Sequence, residues 1–427
     1  MMLRNFNTAD EVFYWGRTGT RATVIEIKCT LKESVNADKL KNAFEEALKI
    51  HTNFRIRPVI CDGRVKASVS DVEKVPLFPE NDIPKHIGSP GTDGFMLYCA
   101  YSEKDFTIHI FHGISDLRGI SHFLNTILMF YFSENPADIT IPYVTDTMPV
   151  YEKIMENGES FSPKGRYNAE ERNVFRIPET RFSDENTKQH LFEIDIPIQP
   201  LLALSKSCES SVFPVLQTMI GRGLRNAYEV GDMDIAGYAS ADLRPIFKVE
   251  SGGNSASTFV VPYTSKLDKH DFKERAKLLR QEMMTQVKPD NLFVGISQNI
   301  TLIGKVSSLP QSIEETAHMA VSAARDRDDK NNTYGLSYTG HISFGENIDK
   351  HIKSVTACAG SYSYPVWIMA CEFNGILRLT GAQSFDSDTA VRAVFDEIKE
   401  HIPEAELFDH GIHYFDECHL KEFEHIN

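Results

Sequence analysis

Along 22–31, Ile25, Ile27, Cys29 and Leu31 fall on one side of a period-two pattern, and Val24, Glu26, Lys28 and Thr30 fall on the other. That alternation predicts a strand with one wetter face. From Asn36, a fitting N-cap, the period changes. Leu40, Ala43, Phe44, Ala47 and Leu48 recur at spacings of three and four with charges between them, which predicts an amphipathic helix. Strands over 55–61 and 64–69 flank Asp62-Gly63, a dipeptide suited to the positive φ angles of a tight hairpin. A second strand pair covers 95–101 and 106–112. The helix after it, 117–132, aligns Ile120, Phe123, Leu124, Ile127, Leu128 and Tyr131 on one stripe. Strands interleaved with covering helices place the chain in the α/β class, as a layered α+β arrangement.

Between 133 and 189 periodicity fades into Pro, Asn, Glu, Ser and Thr, which reads as a long, partly irregular crossover. Regular patterning resumes with a strand at 190–196, helices at 200–208 and 212–228, and a strand at 234–240 that runs into Asp242-Leu243-Arg244-Pro245. A helix near 269–286 follows. A hairpin at 366–380 about Asn374-Gly375 and an amphipathic helix at 388–401 come last. The division is therefore an N-terminal unit 1–133, a crossover linker 134–189 and a C-terminal unit 190–427. The second unit repeats the first in kind, without a residue-level repeat.

Composition narrows the function. With 41% apolar residues in 427, the chain can bury two cores and is not disordered as a whole. A net charge of −15 opposes sequence-independent binding to nucleic acid or anionic lipid. No apolar run spans a membrane and the first residues lack a signal-peptide core, which predicts a soluble, cytoplasmic protein. Seven cysteines, an odd number scattered without a C-x-x-C pair, argue against a disulfide framework and a zinc site. His410, His413, His419 and His425 follow no metal-ligand spacing, so the tail reads as a docking or surface segment and no residue is assigned to a metal. A G-x-S-x-G elbow, a phosphate-binding G-x-x-x-x-G-K-[ST] loop and a G-x-G-x-x-G turn after a strand are all missing from the sequence.

The segment Phe106-Thr-Ile-His-Ile-Phe-His-Gly-Ile-Ser-Asp116-Leu-Arg-Gly119 holds the candidate chemistry. Period-two counting puts His112 with Phe106, Ile108 and Ile110, while His109 points the other way with Phe111. An imidazole at a strand end beside apolar side chains has a tunable pKa, as a general base requires. Asp116, four residues on, is placed to fix the turn and cap the next helix rather than to act as nucleophile. Composition alone would supply one such His-Asp spacing, so the weight rests on the strand before it and the helix after it. The bland readings are a core histidine bonded to a backbone carbonyl, and for Arg244 a surface charge at a strand end. The basic run 266–280 reads as a solvated helix face, with the phosphates of a CoA or carrier arm as the functional alternative.

These residues resemble the superfamily of CoA- and carrier-dependent acyltransferases that includes chloramphenicol acetyltransferase, peptide-synthetase condensation domains and alcohol acetyltransferases. Its His-His-x-x-x-Asp-Gly signature is similar to Phe111-His112-Gly113-Ile114-Ser115-Asp116-Leu117, which keeps the second His and the Asp but has Phe and Leu at the ends. Residues 40–57 resemble the family's first helix and following strand, and 236–244 its strand ending in arginine. Ser337-Tyr338-Thr339-Gly340 stands where alcohol acetyltransferases have Ser-Asn-x-Gly, and 366–401 fits the terminal strand, hairpin and helix.

The resemblance implies two chloramphenicol-acetyltransferase-like lobes forming a V-shaped pseudo-dimer with a central tunnel. It implies an acyl group moving from a thioester, acyl-CoA in preference to acyl-phosphopantetheine on a carrier protein, to an alcohol or amine, without metal or redox cofactor. His112 would be the general base. Asp116 and Arg244 would support the site as an ion pair, and Ser115, Ser337 and Thr339 would line the tunnel or donate to the oxyanion. Two alternatives stay open: a non-catalytic, condensation-like binding or scaffold protein, which the Phe111 and Leu117 departures favour, and an acyltransferase served by a carrier-bound donor.

Overall fold

The computed structural model describes residues 3–4, 6–7, 10–11, 13–14, 23–62, 64–69, 74–84, 86–156, 172–182, 187–307, 312–361, 364–419 and 423–426. In the first third the strands are β1 (Leu3–Arg4), β2 (Val24–Leu31), β3 (Ile56–Cys61), β4 (Arg64–Val69), β5 (Leu77–Pro79), β6 (Leu97–Tyr101) and β7 (Asp105–Phe111). Next come β8 (Lys188–Pro197), β9 (Ile235–Asp242), β10 (Ala256–Tyr263), β11 (Tyr334–His341) and β12 (Ile352–Ala359). The chain closes with β13 (Val366–Phe373), β14 (Ile376–Gln383), β15 (Glu406–Tyr414) and β16 (Glu424–Ile426). They build a five-stranded sheet, β12-β2-β7-β6-β5, a seven-stranded sheet, β10-β9-β11-β13-β14-β8-β15, and a small sheet, β1-β4-β3-β16. The fold is mixed α/β.

Local sequence accounts for the elements that cover the first sheet. Helix Ala37–Ile50 starts where the Asn36 side chain accepts from the Lys39 N–H, and it buries Leu40, Ala43, Phe44, Ala47 and Leu48. It lies against helix Leu117–Phe132, with Phe44 and Phe123 edge to face at 5.5 Å. Asp62 takes the left-handed backbone that the β3–β4 turn requires, at φ 53°. Gly63, Ala22 and residues 157–171 and 183–186 of the crossover lie outside the described residues. Within the crossover, the short helix Val150–Glu156 buries Val150, Tyr151 and Ile154 in the second core.

Two apolar cores result. One gathers around β2, β6, β7 and the two helices above them, the other around β8, β9, β14 and helices Val212–Ala227 and Thr389–His401. The sheets do not divide the chain at one boundary. β12, from the second half, pairs antiparallel with β2, and β16 pairs parallel with β3. The tail is packed onto the sheets. β15 is hydrogen-bonded to β8, and the residues after it bury Phe415, Cys418 and Phe423. On the wetter face of β2, where Lys28 is exposed and Thr30 half-buried, Glu26 is nonetheless buried, and its carboxylate meets His413 from the tail at 3.1 Å. No helix among the described residues is long and apolar enough to cross a membrane. The cysteines form no disulfide.

Candidate active site

His112 follows the last residue of β7, and its own N–H still extends the ladder by donating to Thr23 O at 2.7 Å. Phe111 N–H donates to Met96 O and Ile114 N–H to Phe111 O, so the chain turns at once into Ser115 and Asp116. Gly113 suits that turn, because a Cβ there would come within 2.4 Å of the Phe111 ring and 2.8 Å of Tyr14. The Asp116 side chain then caps helix Leu117–Phe132 by accepting from Gly119 N–H at 3.0 Å.

Arg244 meets this segment from the second sheet. It is the second residue of the short helix Leu243–Phe247 after β9, where Asp242 caps by accepting from the Arg244 N–H. A guanidinium has five N–H donors, and here each is used. Nε donates to Ser251 O (2.8 Å), one terminal nitrogen to Asp116 Oδ2 and Asp242 Oδ1 (both 3.0 Å), and the other to Asp116 Oδ1 (3.0 Å) and Gly253 O (2.7 Å). Asp116 is filled in turn, because Ser255 N–H adds a bond to Oδ2 at 2.8 Å. With Gly119 that makes four donors on two oxygens. Burial pushes the Asp116 carboxyl upward, but the Arg244 charge and these hydrogen bonds outweigh it and hold the pKa below its ordinary value. A carboxylate so engaged is neither nucleophile nor base.

The loop 251–255 is the joint. Gly252 N–H donates to Asp146 O at 2.8 Å, and Gly252 O accepts from Ser115 Oγ at 2.7 Å. A Cβ on Gly119 would lie 2.2 Å from that same carbonyl, so helix and loop touch backbone to backbone. Asn254 Nδ2 donates to His112 O at 2.8 Å and to Asp10 Oδ1 at 2.9 Å. The His112 segment is thus held at its carbonyl and at Asp116 by residues from the other sheet.

The His112 ring is the candidate base itself. Its Nδ1 is buried and has no hydrogen-bond partner among the described residues, while the residue as a whole keeps partial exposure. Phe13 stacks on one face, with ring centroids 4.0 Å apart and planes 19° apart. Burial lowers the His112 pKa. The backbone of His112 and Ser115, the Asp116 charge and Asn254 act in the opposite sense without reversing it. The imidazole is thereby held as the neutral form that accepts a proton.

Of the other candidates, Ser115 is fully buried with its hydroxyl proton on Gly252 O. Ser337 and Thr339 are half-buried on β11, and the register against β13 shifts between Tyr338 and Gly340, a bulge centred on Thr339. The structure gives neither of them a contact with His112. In the basic run, Lys273 and Lys277 pair with Glu209. Phe13, Asp10, Asn254 and Ser255 went unremarked in the sequence. The Gly-Gly of 252–253, eight residues after Arg244, is the local signal of a close backbone approach. An apolar cavity of about 40 Å³ in the second core, lined among others by Ile194, Leu224, Tyr334, Ile368, Leu379 and Val394, includes none of the candidate residues. It has space for little more than one water.

No family model and no curated protein matches this sequence. Solved structures do resemble it. Polyketide synthase associated protein 5 from Mycobacterium tuberculosis is 11% identical, with 93% of this chain and 97% of that one covered and a TM-score of 0.63. Trichothecene 15-O-acetyltransferase from Fusarium sporotrichioides is 10% identical, with 94% and 96% covered and a TM-score of 0.61. The starter condensation domain of rhizomide synthetase, solved in complex with C8-CoA and Leu-SNAC, is 9% identical, with 93% of each chain covered and a TM-score of 0.62. These likenesses show that the chain has the fold of condensation domains and of an acetyltransferase of known structure.

Proposed function

We propose that the chain is an acyltransferase that moves an acyl group from a thioester, acyl-CoA in preference to a carrier-bound donor, to an alcohol or amine, with His112 as general base. One observation carries the reading. The backbone around His112 is tied to the second sheet through Asn254 and Arg244, yet the buried ring nitrogen Nδ1 has no hydrogen-bond partner among the described residues. A buried polar nitrogen left unbonded costs about 1–3 kcal/mol, and a catalytic role is one reason for a fold to retain such a cost. The similarity to an acetyltransferase and to a condensation domain holding C8-CoA supports the same class.

In this reading the His112 imidazole takes the proton of the acceptor hydroxyl or amine as that atom bonds to the thioester carbonyl carbon. The tetrahedral oxyanion then collapses, the C–S bond breaks, and the imidazolium returns its proton to the thiolate. General-base help of this kind is worth about 10²–10⁴-fold, and positioning and oxyanion donors supply the rest. Asp116 and Arg244 support the site and do not touch substrate. Ser337 and Thr339 remain the proposed channel or oxyanion residues, since use of Ser115 would require its bond to Gly252 O to break. The two lobes would form the V, with donor and acceptor entering from opposite mouths of a tunnel that meets at His112.

The test is release of free thiol from a panel of acyl-CoA and carrier-loaded donors with alcohol and amine acceptors. His112→Ala is expected to lose turnover with its circular dichroism unchanged, and the acidic limb of the parent's kcat/KM profile should lie below the ordinary histidine value of 6.5. Undiminished turnover in His112→Ala removes it as the base. The stacking of Phe13 on the ring favours a second reading, a binding or scaffold protein with a covered histidine. That reading predicts saturable acyl-CoA binding with no thiol release by the parent for any pair.

A further inference from the structure

The end of the chain carries chemistry that the acyltransferase reading leaves unused. After β15 the segment 415–419 runs over the first sheet, where Glu417 forms a parallel bridge with His86 and Ile87 N–H donates to Glu417 O at 2.9 Å. In extended backbone successive side chains point to opposite sides. Asp416 and Cys418 accordingly go inward and are buried, whereas Glu417 and His419 face outward and stay partly open.

Two groups of ligand-type atoms result. The inner one is Glu26, His109 and Asp416, and it is complete without an ion. Asp416 accepts from Tyr98 OH (2.8 Å) and from His109 Nδ1 (2.9 Å), and Glu26 is met by His413 Nε2 (3.1 Å) and the Cys358 thiol (3.5 Å). The outer one is His86, Glu417 and His419. Glu417 Oε2 lies 3.3 Å from His86 Nε2 and 2.8 Å from His419 Nε2, and the three atoms all fall within 4.8 Å of one another. The two imidazole rings, with centroids 4.6 Å apart and planes at 61°, converge on that one oxygen.

We propose that His86, Glu417 and His419 form a site for a divalent transition-metal ion of the zinc type, which clips the C-terminal segment to the connection between β5 and β6. Two imidazole nitrogens and one carboxylate oxygen are the donor set such ions take. Metal–ligand bonds of about 2.0–2.2 Å in a tetrahedron separate neighbouring ligand atoms by roughly 3.3 Å, and Glu417 Oε2 stands 3.3 Å and 2.8 Å from the two imidazole nitrogens. The backbone bridge fixes His86 against Glu417 before any ion arrives, so little ordering is needed on binding. Side-chain exposures of 31%, 29% and 14% leave an entry path and a fourth position for water.

The experiment uses the full chain without a histidine tag, stripped with chelator and then titrated with zinc by calorimetry and with cobalt by visible absorption. One ion per chain is expected, with the intense visible bands of tetrahedral cobalt. His86→Ala and His419→Ala should each weaken binding by more than the roughly 10–100-fold that changes outside the ligand set cost, and His425→Ala on β16 should bind as the parent does. Zinc should raise the parent's unfolding temperature and not that of either histidine variant. Should one of those variants fail to fold, Glu417→Gln takes its place. Absence of zinc binding at neutral pH, or binding at parental strength in the ligand variants, overturns the site.

Discussion

Replacing Arg244 by alanine removes five donated hydrogen bonds at once and leaves the Asp116 carboxylate, 7% exposed, with only the Gly119 and Ser255 N–H groups. Breaking a buried ion pair by removing one partner costs about 3–5 kcal/mol. The side chains here are only 12% and 10% exposed, so that full range is expected for Arg244→Ala in urea unfolding at pH 7. The pH dependence gives the reasoning a sharper test. In the parent the Asp116 pKa lies below its ordinary 3.8, so its contribution is present above that value and is lost as pH falls. In Arg244→Ala burial acts without the opposing charge and raises the carboxyl, so protonation relieves the variant. The stability gap should therefore narrow from pH 7 toward pH 4. The pair Asp116→Asn with Arg244→Met should be less damaged than Arg244→Ala alone, because no buried charge is left unpaired. A loss under about 1 kcal/mol, or a gap independent of pH, would refute the assignment of this pair as the joint.

Gly119→Ala places a Cβ 2.1 Å from Ser115 Oγ and 2.2 Å from Gly252 O, so a loss of about 1–3 kcal/mol in urea unfolding is expected, with lower thiol release as loop 251–255 shifts. For the buried tail cluster, burial opposes the His109 charge, but Asp416 and Glu26 outweigh it and lift the pKa to about 10. Burial likewise favours the neutral acid at Glu26, and His413 and His109 hold it below its ordinary 4.5. The His109 contribution is full below 6.5 and lost as pH rises through about 10, and that of Glu26 is full above 4.5 and lost as pH falls. Hydrogen exchange of 411–418 should thus open, relative to β6 and β7, at both pH extremes.

Helix Ala37–Ile50 was legible residue by residue, because its cap and its stripe are local properties of fourteen consecutive residues. Asp116 and Arg244 were reached through the resemblance, and no spacing in the sequence states that one guanidinium bridges the start of a helix to a glycine loop. Helix Val150–Glu156 was missed because seven residues are too few for a period to stand out. Strand Glu406–Tyr414 was missed for another reason. It is an edge strand with mostly exposed or half-exposed side chains, so burial imprinted no alternation. Phe13 and Asn254 owe their places to packing between distant segments. His86 likewise meets Glu417 only through a β-bridge between remote parts of the chain.

The borrowed strands β12 and β16 bear on how the molecule is made. While the ribosome has delivered only the first third of the chain, β2 and β3 each present a bare row of N–H and C=O groups. Such rows recruit foreign strands. A fragment ending near residue 133 should therefore clump rather than behave as a small independent protein, and supplying the later segment in trans should rescue it. Newborn copies would need chaperone shelter until 352–359 and 424–426 arrive to seal both margins.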